Sequence, residues 1–311
     1  MNQTTRAQPR IALITDDPGW HGRRLSETFA AHGYDCSVVS LTECAYRLDN
    51  DTAILDIPGF YPHLPEGVFV RGIPGGSLEQ VVFYLNILHG LSQTGVKVYN
   101  DGRAIERTVD KAFTSFVLQQ ASIPMPPTWV FVDREQAMQV ASQQLLDGHA
   151  LVFKPLFGSQ GEGLQLVNHV DRLSTVAEFN GVYYFQRFIS AVQGDYFDWR
   201  VFVINGKAIA AAKRSGMYWL NNVAQGGVCE KASLDKALRE LAEHAVALLD
   251  MDYGGVDIIT DAKGCLYVLE VNSVPAWKGL QKVCEFSVAD CLVNDFLSKV
   301  KHNQYVKIAV F

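Results

Sequence analysis

Along the first hundred residues, short apolar runs alternate with amphipathic stretches. Residues 11–14 have the composition of a buried strand, and residues 23–32 have the spacing of an amphipathic helix. Helical spacing also marks residues 77–92, where Ser77 stands three positions before Gln80 and predicts an N-terminal cap. Further apolar runs predict strands at 36–41, 52–57, 67–73 and 96–99. This β/α alternation predicts a small parallel sheet with helices on its faces.

A different pattern begins near residue 100. One helix is predicted at 104–121, where three prolines at 124, 126 and 127 end it. Beyond residue 183 the pattern is mostly β, with a long helix at 234–249 and a closing helix at 289–300. The strands predicted in this part of the chain are 128–132, 150–155, 164–167, 183–189, 199–204, 207–213, 255–260 and 266–272, and a further helix is predicted at 134–146.

Composition and charge limit the class of protein. The chain has 311 residues, of which 48% are hydrophobic and 19% are charged, enough for two or three packed subdomains. A net charge of -6 without blocks of like charge argues against nucleic acid or an anionic membrane as the main partner. The six cysteines are scattered, which argues against a disulfide scaffold or a zinc site. Without a signal-peptide pattern or an apolar run near the ~20 residues that span a bilayer, we expect a soluble cytoplasmic protein.

A glycine-rich loop follows one predicted strand. Lys154 ends that strand, and glycines follow at 158, 161 and 163. Glycines let backbone N–H groups close around phosphates because no Cβ blocks the approach, and the lysine supplies a positive charge. The glycine order fits neither a Walker loop nor a dinucleotide fingerprint, and a strand follows instead of a helix. An ordinary hairpin turn with an exposed lysine is the alternative interpretation.

Two acids face each other in the predicted hairpin 255–272. With residues 263–264 as a two-residue turn, the register places Asp257 opposite Glu270, with Asn272 on the same face. Their Cβ atoms are then roughly 4.5–5.5 Å apart, and two facing carboxylates need neutralisation. Magnesium accepts carboxylate and amide oxygens and shares its remaining positions with phosphate. The apolar neighbours of both acids favour this metal site over the alternative, a solvated polar face.

Two further groups of polar residues follow predicted strands of the N-terminal sheet. Asp16, Asp17, His21 and Arg24 come after the first strand, at the edge where an open α/β sheet usually binds its ligand. A solvated loop with a helix cap explains them equally well. Arg71 ends another strand beside Gly72 and is a candidate for binding an anionic substrate, with a surface ion pair as the alternative.

In this order, the lysine strand, the G-x-x-G-x-G loop and the D…E-x-N hairpin resemble the ATP-grasp superfamily. The resemblance covers roughly residues 99–300. It is closest to the ribosomal protein S6 modification-type (RimK-like) carboxylate–amine ligases. It implies an α/β ATP-grasp fold, in which a small N-terminal parallel-sheet domain (1–99) is followed by two α+β subdomains (100–185 and 186–311) that enclose ATP.

The resemblance assigns roles to individual residues. It implies Mg²⁺, with Mn²⁺ as a substitute, on Asp257, Glu270 and Asn272. It implies catalytic roles for Arg214 and Lys154, and substrate contacts for Arg200 and Asn222, in addition to the candidate Arg71 named above. The implied ATP-binding residues are Lys111, Lys154, Gly158, Ser159, Gln160, Gly161, Gly163, Gln186, Arg187, Phe188, Ile189 and Asp198. Two positions depart from the family pattern, because Arg187 replaces an acid and Gln225 replaces an arginine.

The resemblance also implies the activity, an ADP-forming ligase that makes an amide through an acyl phosphate. Residues 67–76 resemble a subgroup linked to tetrahydromethanopterin one-carbon metabolism. That subgroup implies addition of glutamate or another amino acid to a pterin-type coenzyme or another small acid. The alternatives are a ligase that joins two amino acids or modifies a protein terminus, and a catalytically silent nucleotide-binding protein. The expected partners are a small-molecule acid and amine, without nucleic acid or membrane, and the expected assembly is a homo-oligomer (dimer or tetramer).

Overall fold

The structure is a computed structural model that describes residues 8–49, 52–158, 162–176, 180–190, 196–216, 219 and 228–309. The chain divides into two compact units. The first consists of Met1–Glu106, Met251–Tyr253 and Val274–Phe311, and the second consists of Arg107–Asp250 and Gly254–Ser273. The predicted three-part division at 99/100 and 185/186 stays a prediction.

The helices and strands follow one another along the chain in a mixed α/β order. The elements up to residue 109 are β1 (Arg10–Ile14), α1 (Gly19–Ala31), β2 (Asp35–Val39), β3 (Ala45–Asp49), β4 (Thr52–Asp56), β5 (Gly67–Val70), α2 (Leu78–Gln93), β6 (Lys97–Tyr99) and α3 (Gly102–Val109). The next are α4 (Lys111–Gln120), β7 (Thr128–Phe131), α5 (Arg134–Leu146), β8 (Leu151–Lys154), β9 (Gln165–Val167), β10 (Tyr183–Arg187), β11 (Tyr196–Ile204), β12 (Lys207–Gly216), β13 (Val228–Lys231), α6 (Lys236–Leu248), β14 (Tyr253–Thr260), β15 (Leu266–Asn272), α7 (Lys278–Gln281) and α8 (Val288–Ala309). Among the described helices, none combines the length and the apolar character that a membrane span requires.

The first unit contains the predicted parallel sheet. Its strand order is β2-β1-β5-β6, and each neighbouring pair is parallel. The predicted cap of α2 is confirmed, because Ser77 Oγ accepts from Gln80 N at 3.3 Å and Gln80 Oε1 accepts from Ser77 N at 2.9 Å. The hairpin of β3 and β4 was predicted only in part, since the partly exposed, polar β3 lacks an apolar run.

Two antiparallel sheets form the second unit. One has the order β7-β10-β8-β9, and the other has the order β13-β12-β11-β14-β15. The predicted strands of this region are present, β15 with its predicted bounds and the others with shifted ends, and β13 was not predicted. The ATP-grasp class predicted from sequence therefore agrees with a parallel N-terminal sheet followed by two antiparallel sheets.

The single helix predicted at 104–121 is wrong. The structure has two helices there, α3 and α4, with Asp110 between them in an extended conformation. The Asp110 carboxylate accepts from Ala112 N at 2.9 Å and from Phe113 N at 3.0 Å, so it caps α4. Lys111 is consequently the first residue of α4 instead of a mid-helix residue.

The two-residue turn predicted at 263–264 is also wrong. Asp261 N donates to Cys265 O, and Gly264 closes a three-residue loop with a φ of 83°. A bulge at Leu269 then shifts the register back by one residue. The two shifts cancel, and Asp257 lies opposite Glu270 as predicted.

Gly67 packs against aromatic rings in the core of the first unit. Phe69, two residues further along β5, has its ring centroid 5.6 Å from that of Phe296. A Cβ built on Gly67 would lie 2.7 Å from Phe296 Cζ and 2.6 Å from Val300 Cγ2. Only glycine fits this position without displacement of buried side chains.

Gly67→Ala should therefore destabilise the protein by about 1–3 kcal/mol, the usual effect of overpacking a core. Urea denaturation measures this change in the free energy of unfolding. Gly75→Ala is the matched control, because nothing lies within 4 Å of its Cβ position. Equal stability of the two variants would contradict the packing described for Gly67.

Candidate active site

The candidate site lies in the second unit, where strands from both antiparallel sheets contribute charged side chains. Lys154 ends β8 and lies opposite Tyr184 of β10 in the strand pairing. Together with Lys111 of α4 and Glu270 of β15, these residues line one small cavity. The sequence analysis missed Tyr184, although it shares a face of β10 with Gln186, a signal that period-two alternation offers.

Lys154 is a buried lysine with a polar partner. Its Nζ donates to Gln186 Oε1 at 2.5 Å, and Gln186 Nε2 donates to Thr128 Oγ1 at 2.9 Å. Burial lowers the pKa of Lys154 to about 8, although the nearby charge of Glu270 raises it in part. Its positive charge is therefore incompletely compensated and is available to an anionic ligand.

Lys111 holds the glycine-rich loop. Its Nζ donates to Gly158 O at 2.8 Å and to Leu156 O at 3.3 Å. Burial lowers the pKa of Lys111, while Glu270 and Asp110 raise it. The carboxylate of Glu270 thus raises the pKa of both lysines.

Four further charges form a network across β11, β12 and β14, which we call the arginine–aspartate network (Asp198, Arg200, Arg214 and Asp257). Arg214 Nε donates to Asp198 Oδ1 at 2.6 Å, and Arg214 Nη2 lies 3.0 Å from Asp257 Oδ2. Arg200 contacts the same carboxylate through Nε, and its Nη2 donates to Asp257 Oδ2 at 2.9 Å. The sequence analysis singled out all four residues but not their pairing.

The network keeps Asp257 ionised. Burial by itself would raise the pKa of Asp257, but Arg200 and Arg214 outweigh burial and lower it. Burial raises the pKa of Asp198, which has Arg214 as its main opposing charge. Two arginines balance two aspartates here, while two lysines face one glutamate in the cavity. The positive charge that has no direct carboxylate contact therefore lies at the two lysines, which suits a polyphosphate.

The residues at the predicted metal position fit magnesium. Asp257 and Glu270 face each other across β14 and β15, and Asn272 lies opposite Gly255 in the same register. The Asn272 Nδ2 atom is buried and has no hydrogen-bond partner among the described residues; as an N–H donor it suits a phosphate oxygen, and Oδ1 is the atom of Asn272 that suits a metal ion. Two carboxylates and one amide form a hard oxygen donor set of the kind that magnesium prefers. Because both Asp257 oxygens accept from arginines, a cation on Asp257 would replace at least one of these contacts.

The predicted adenine hinge, Gln186 to Ile189, comprises the last two residues of β10 and the two residues after it. The N–H of Arg187 donates to Pro127 O at 2.9 Å, and that of Phe188 donates to Ala150 O at 2.8 Å. The Arg187 side chain donates to Gln144 Oε1 at 2.7 Å. The N–H of Ile189 has no partner among the described residues, so of these three backbone donors it is the one left for a ligand.

The remaining predicted site residues are in the glycine-rich loop, in the first unit, or outside the described residues. Gly158 and Gly163 flank the loop with φ angles of 151° and 73°, in the region that favours glycine. Arg71 belongs to the first unit, directly after β5. Four of the predicted positions lie outside the described residues, namely Ser159, Gln160, Gly161 and Asn222, as does the unusual Gln225.

Comparison with known proteins identifies the family of this chain. Residues 108–296 match the family described as the RimK-like ATP-grasp domain. The tetrahydromethanopterin:alpha-L-glutamate ligase of Methanococcus maripaludis is 30% identical over 305 residues, which cover 94% of this chain and 99% of that protein. The alpha-aminoadipate–LysW ligase LysX of Saccharolobus solfataricus is 29% identical, over 91% of this chain and 99% of that protein.

A solved structure shares the fold. The ATP-grasp ligase PsnB, in a complex with a minimal precursor, Mg and ADP, superposes with a TM-score of 0.70 and 20% sequence identity. The match covers 94% of this chain and 98% of that chain. By its family match and its full-length relatives, this chain belongs to the RimK-like ATP-grasp family and is an ATP-dependent ligase that forms a carbon–nitrogen bond.

Proposed function

We propose that this enzyme joins the amine of an amino dicarboxylic acid, with glutamate as the first candidate, to a carboxyl group of a pterin-type coenzyme or another small acid. Two full-length relatives support this substrate class, because one is named for glutamate and tetrahydromethanopterin and the other for α-aminoadipate. The observation that carries the ATP-dependent chemistry is the cavity that combines Lys111, Lys154 and Glu270.

The two lysines bind the triphosphate in this proposal. Lys154 comes from β8 and Lys111 from the start of α4, so the phosphates have cations from two different elements. Lys111 exchanges its loop carbonyls, Leu156 O and Gly158 O, for phosphate oxygens. Release of these carbonyls leaves the Nζ group of Lys111 free to donate to the phosphates.

Asp257, Glu270 and Asn272 would hold magnesium, which supplies positive charge to the phosphates during transfer. Arg214 stays fixed by Asp198 at 2.6 Å and stabilises the charge on the transferring phosphoryl group. Arg200, whose carboxylate partner among the described residues is Asp257, is positioned for the acid substrate.

The reaction has two steps. An oxygen of the acid carboxylate attacks the γ-phosphorus of ATP, the bond to the β-phosphate oxygen breaks, and ADP leaves. The unprotonated amine then attacks the acyl carbon, phosphate leaves with the bonding electron pair, and the amine loses a proton as the amide forms. The protein supplies charge and orientation, and the scheme needs no covalent protein intermediate.

A product assay tests the proposed function. The enzyme is incubated with Mg-ATP, L-glutamate and a pterin-type acid, and mass spectrometry measures the acid with one added glutamyl residue together with ADP. Parallel reactions contain two amino acids or a peptide ending in glutamate. If product forms only in the parallel reactions, the proposed substrate is wrong and the partners of those reactions take its place. If no pair of substrates leads to ADP, the result supports a silent nucleotide-binding protein.

Glu270→Gln should lower kcat/KM by about 100-fold or more, since a cation on the transferring phosphoryl group contributes several kcal/mol. Steady-state ADP formation measures this change, and the melting temperature reports on the fold. Glu240→Gln is the matched control, because Glu240 is exposed on α6 in the same unit. Normal turnover by Glu270→Gln would remove this residue from the proposed metal site.

The lowered pKa of Lys154 predicts a pH dependence of nucleotide binding. Lys154 is protonated below about pH 8 and neutral above it, so its attraction for phosphate is present at low pH and is lost as the pH rises. The affinity of the free enzyme for a non-hydrolysable ATP analogue should fall about tenfold between roughly pH 7 and pH 9. Calorimetric titration across this range measures the affinity.

Lys154→Arg provides the internal comparison for that titration. A guanidinium stays protonated across the whole range, so the pH dependence should flatten even where the affinity at neutral pH is reduced. The same slope in both proteins would assign the titration to another group.

A further inference from the structure

The carboxyl edge of the parallel sheet in the first unit carries a cationic group of side chains, which we call the Arg71 corner (His21, Arg71, Trp277 and Lys278). Strands β1 and β5 are neighbours and end together, since Ile14 pairs with Val70. Arg71 follows directly, and its N–H donates to Ile14 O at 2.8 Å. Ligands of open α/β sheets bind at this edge of the strands.

The guanidinium of Arg71 is fixed in place without a counter-charge. Its Cζ lies 4.6 Å from the ring centroid of Trp277, and its Nη1 donates to Pro275 O at 3.1 Å. The Nε atom is buried and lacks a hydrogen-bond partner within the described part of the chain. In that part of the chain Arg71 has no carboxylate partner either, which argues against the surface ion pair considered from sequence. A guanidinium has five N–H donors, so several remain for a ligand.

His21 organises the corner but does not neutralise it. Its Nε2 accepts from the backbone N–H groups of Trp277, at 3.1 Å, and Lys278, at 3.2 Å. Burial, together with the charges of Arg71 and Lys278, lowers the pKa of His21 to about 4. The imidazole is therefore neutral at physiological pH, with its proton on Nδ1.

Lys278 adds a second positive charge. Its side chain is exposed, and among the described residues it forms no ion pair. Its backbone N–H contacts the His21 ring at 3.2 Å, and its charge, like that of Arg71, lowers the pKa of that ring. Neither Arg71 nor Lys278 forms an ion pair with a carboxylate of the described residues, and the two acids at this edge, Asp16 and Asp17, accept from Ser40 Oγ and Gly19 N. A ligand with two negative groups matches the two cations.

We propose that the Arg71 corner binds the two carboxylates of the amino dicarboxylic acid, an inference that rests on the proposed function. Arg71 accepts one carboxylate in the fork geometry that favours arginine, and Lys278 pairs with the other as a point charge. Trp277 beneath the guanidinium and His21 beside it keep the arginine in one orientation. The carboxylates of this substrate are thereby held as anions, while its amine stays free to react.

Ligand binding to the full chain tests this assignment. Calorimetric titrations in the presence of magnesium and a non-hydrolysable ATP analogue compare L-glutamate, glutarate, L-glutamine and inorganic phosphate. Arg71→Gln should weaken L-glutamate binding by about 10- to 100-fold, the usual effect of losing a charge-assisted contact. Arg71→Lys should recover part of the affinity, and Lys278→Gln should abolish the preference for L-glutamate over L-glutamine.

Controls separate this site from general effects on the protein. Arg47→Gln removes an arginine of β3 in the same unit whose Nε donates to Asp56 Oδ2 at 2.9 Å, and it should bind L-glutamate normally. Affinity for the ATP analogue should not change in any of these variants. In turnover, Arg71→Gln should raise the KM for the amino acid while leaving the KM for ATP unchanged.

Several outcomes overturn the proposal. The first is that the wild-type protein does not detectably bind L-glutamate, and the second is that Arg71→Gln binds L-glutamate with unchanged affinity. The third is that inorganic phosphate binds as tightly as L-glutamate. Failure of the site and failure of the function are distinguishable. An active ligase whose amino-acid KM is unaffected by Arg71→Gln rejects the site alone. Arg71-dependent L-glutamate binding without any amide product supports the site and rejects the proposed function.

Discussion

The second unit depends on the compensation of one buried carboxylate, that of Asp257, which is 4% exposed. An unpaired carboxylate in such a place would cost several kcal/mol, and its usual response is to take up a proton. Arg200 and Arg214 prevent this, because together they contact both carboxylate oxygens. Three strands, β11, β12 and β14, must therefore keep their register for the charges to match. The same requirement places an ionised carboxylate opposite Glu270, where the candidate metal position is.

The lysine side of the site follows a different electrostatic rule. Lys154 is buried without a direct carboxylate contact among the described residues, and its Nζ donates to the neutral amide of Gln186. Burial lowers the pKa of the Lys154 ammonium because it disfavours the charged form. The pKa of the Asp257 carboxylate is lowered for the opposite reason, because two arginines stabilise its charged form. The site thus combines an anion that is fully compensated with a cation that is not. This asymmetry favours an anionic ligand at the lysines.

Sequence patterns predicted the parts of this arrangement that are local in the chain. Period-two alternation placed Glu270 and Asn272 on one face, and the cap of α2 followed from Ser77 and Gln80. The break between α3 and α4 at Asp110 was not predicted, because the apolar helical pattern continues through it. The feature that separates the two helices is local, the capping hydrogen bond from Ala112 N to the Asp110 carboxylate. The hairpin register had two errors of one residue each, since neither the turn length nor a bulge has a unique sequence signal.

The ion pairs between residues far apart in the chain could not be predicted from the sequence. Nothing in the sequence around Arg200 indicates a carboxylate 57 positions away as its partner, because the contact depends on which strands are neighbours in the sheet. The strand order β13-β12-β11-β14-β15 places β14 next to β11 although α6 lies between them in the chain. A composition of two arginines and two aspartates is compatible with many pairings, and tertiary structure selects one of them.

The two arginines of the network are not equivalent, and the difference bears on how the site responds to its ligands. Arg214 contacts Asp198 and Asp257, whereas Arg200 contacts Asp257 alone among the described carboxylates. When a cation takes an oxygen of Asp257, Arg214 keeps a partner at 2.6 Å, but Arg200 loses part or all of its compensation. A half-buried guanidinium without a counter-ion attracts the nearest anion. We therefore expect Arg200 to be the arginine that reorients towards substrate, and Arg214 to be the one that stays in place throughout the reaction.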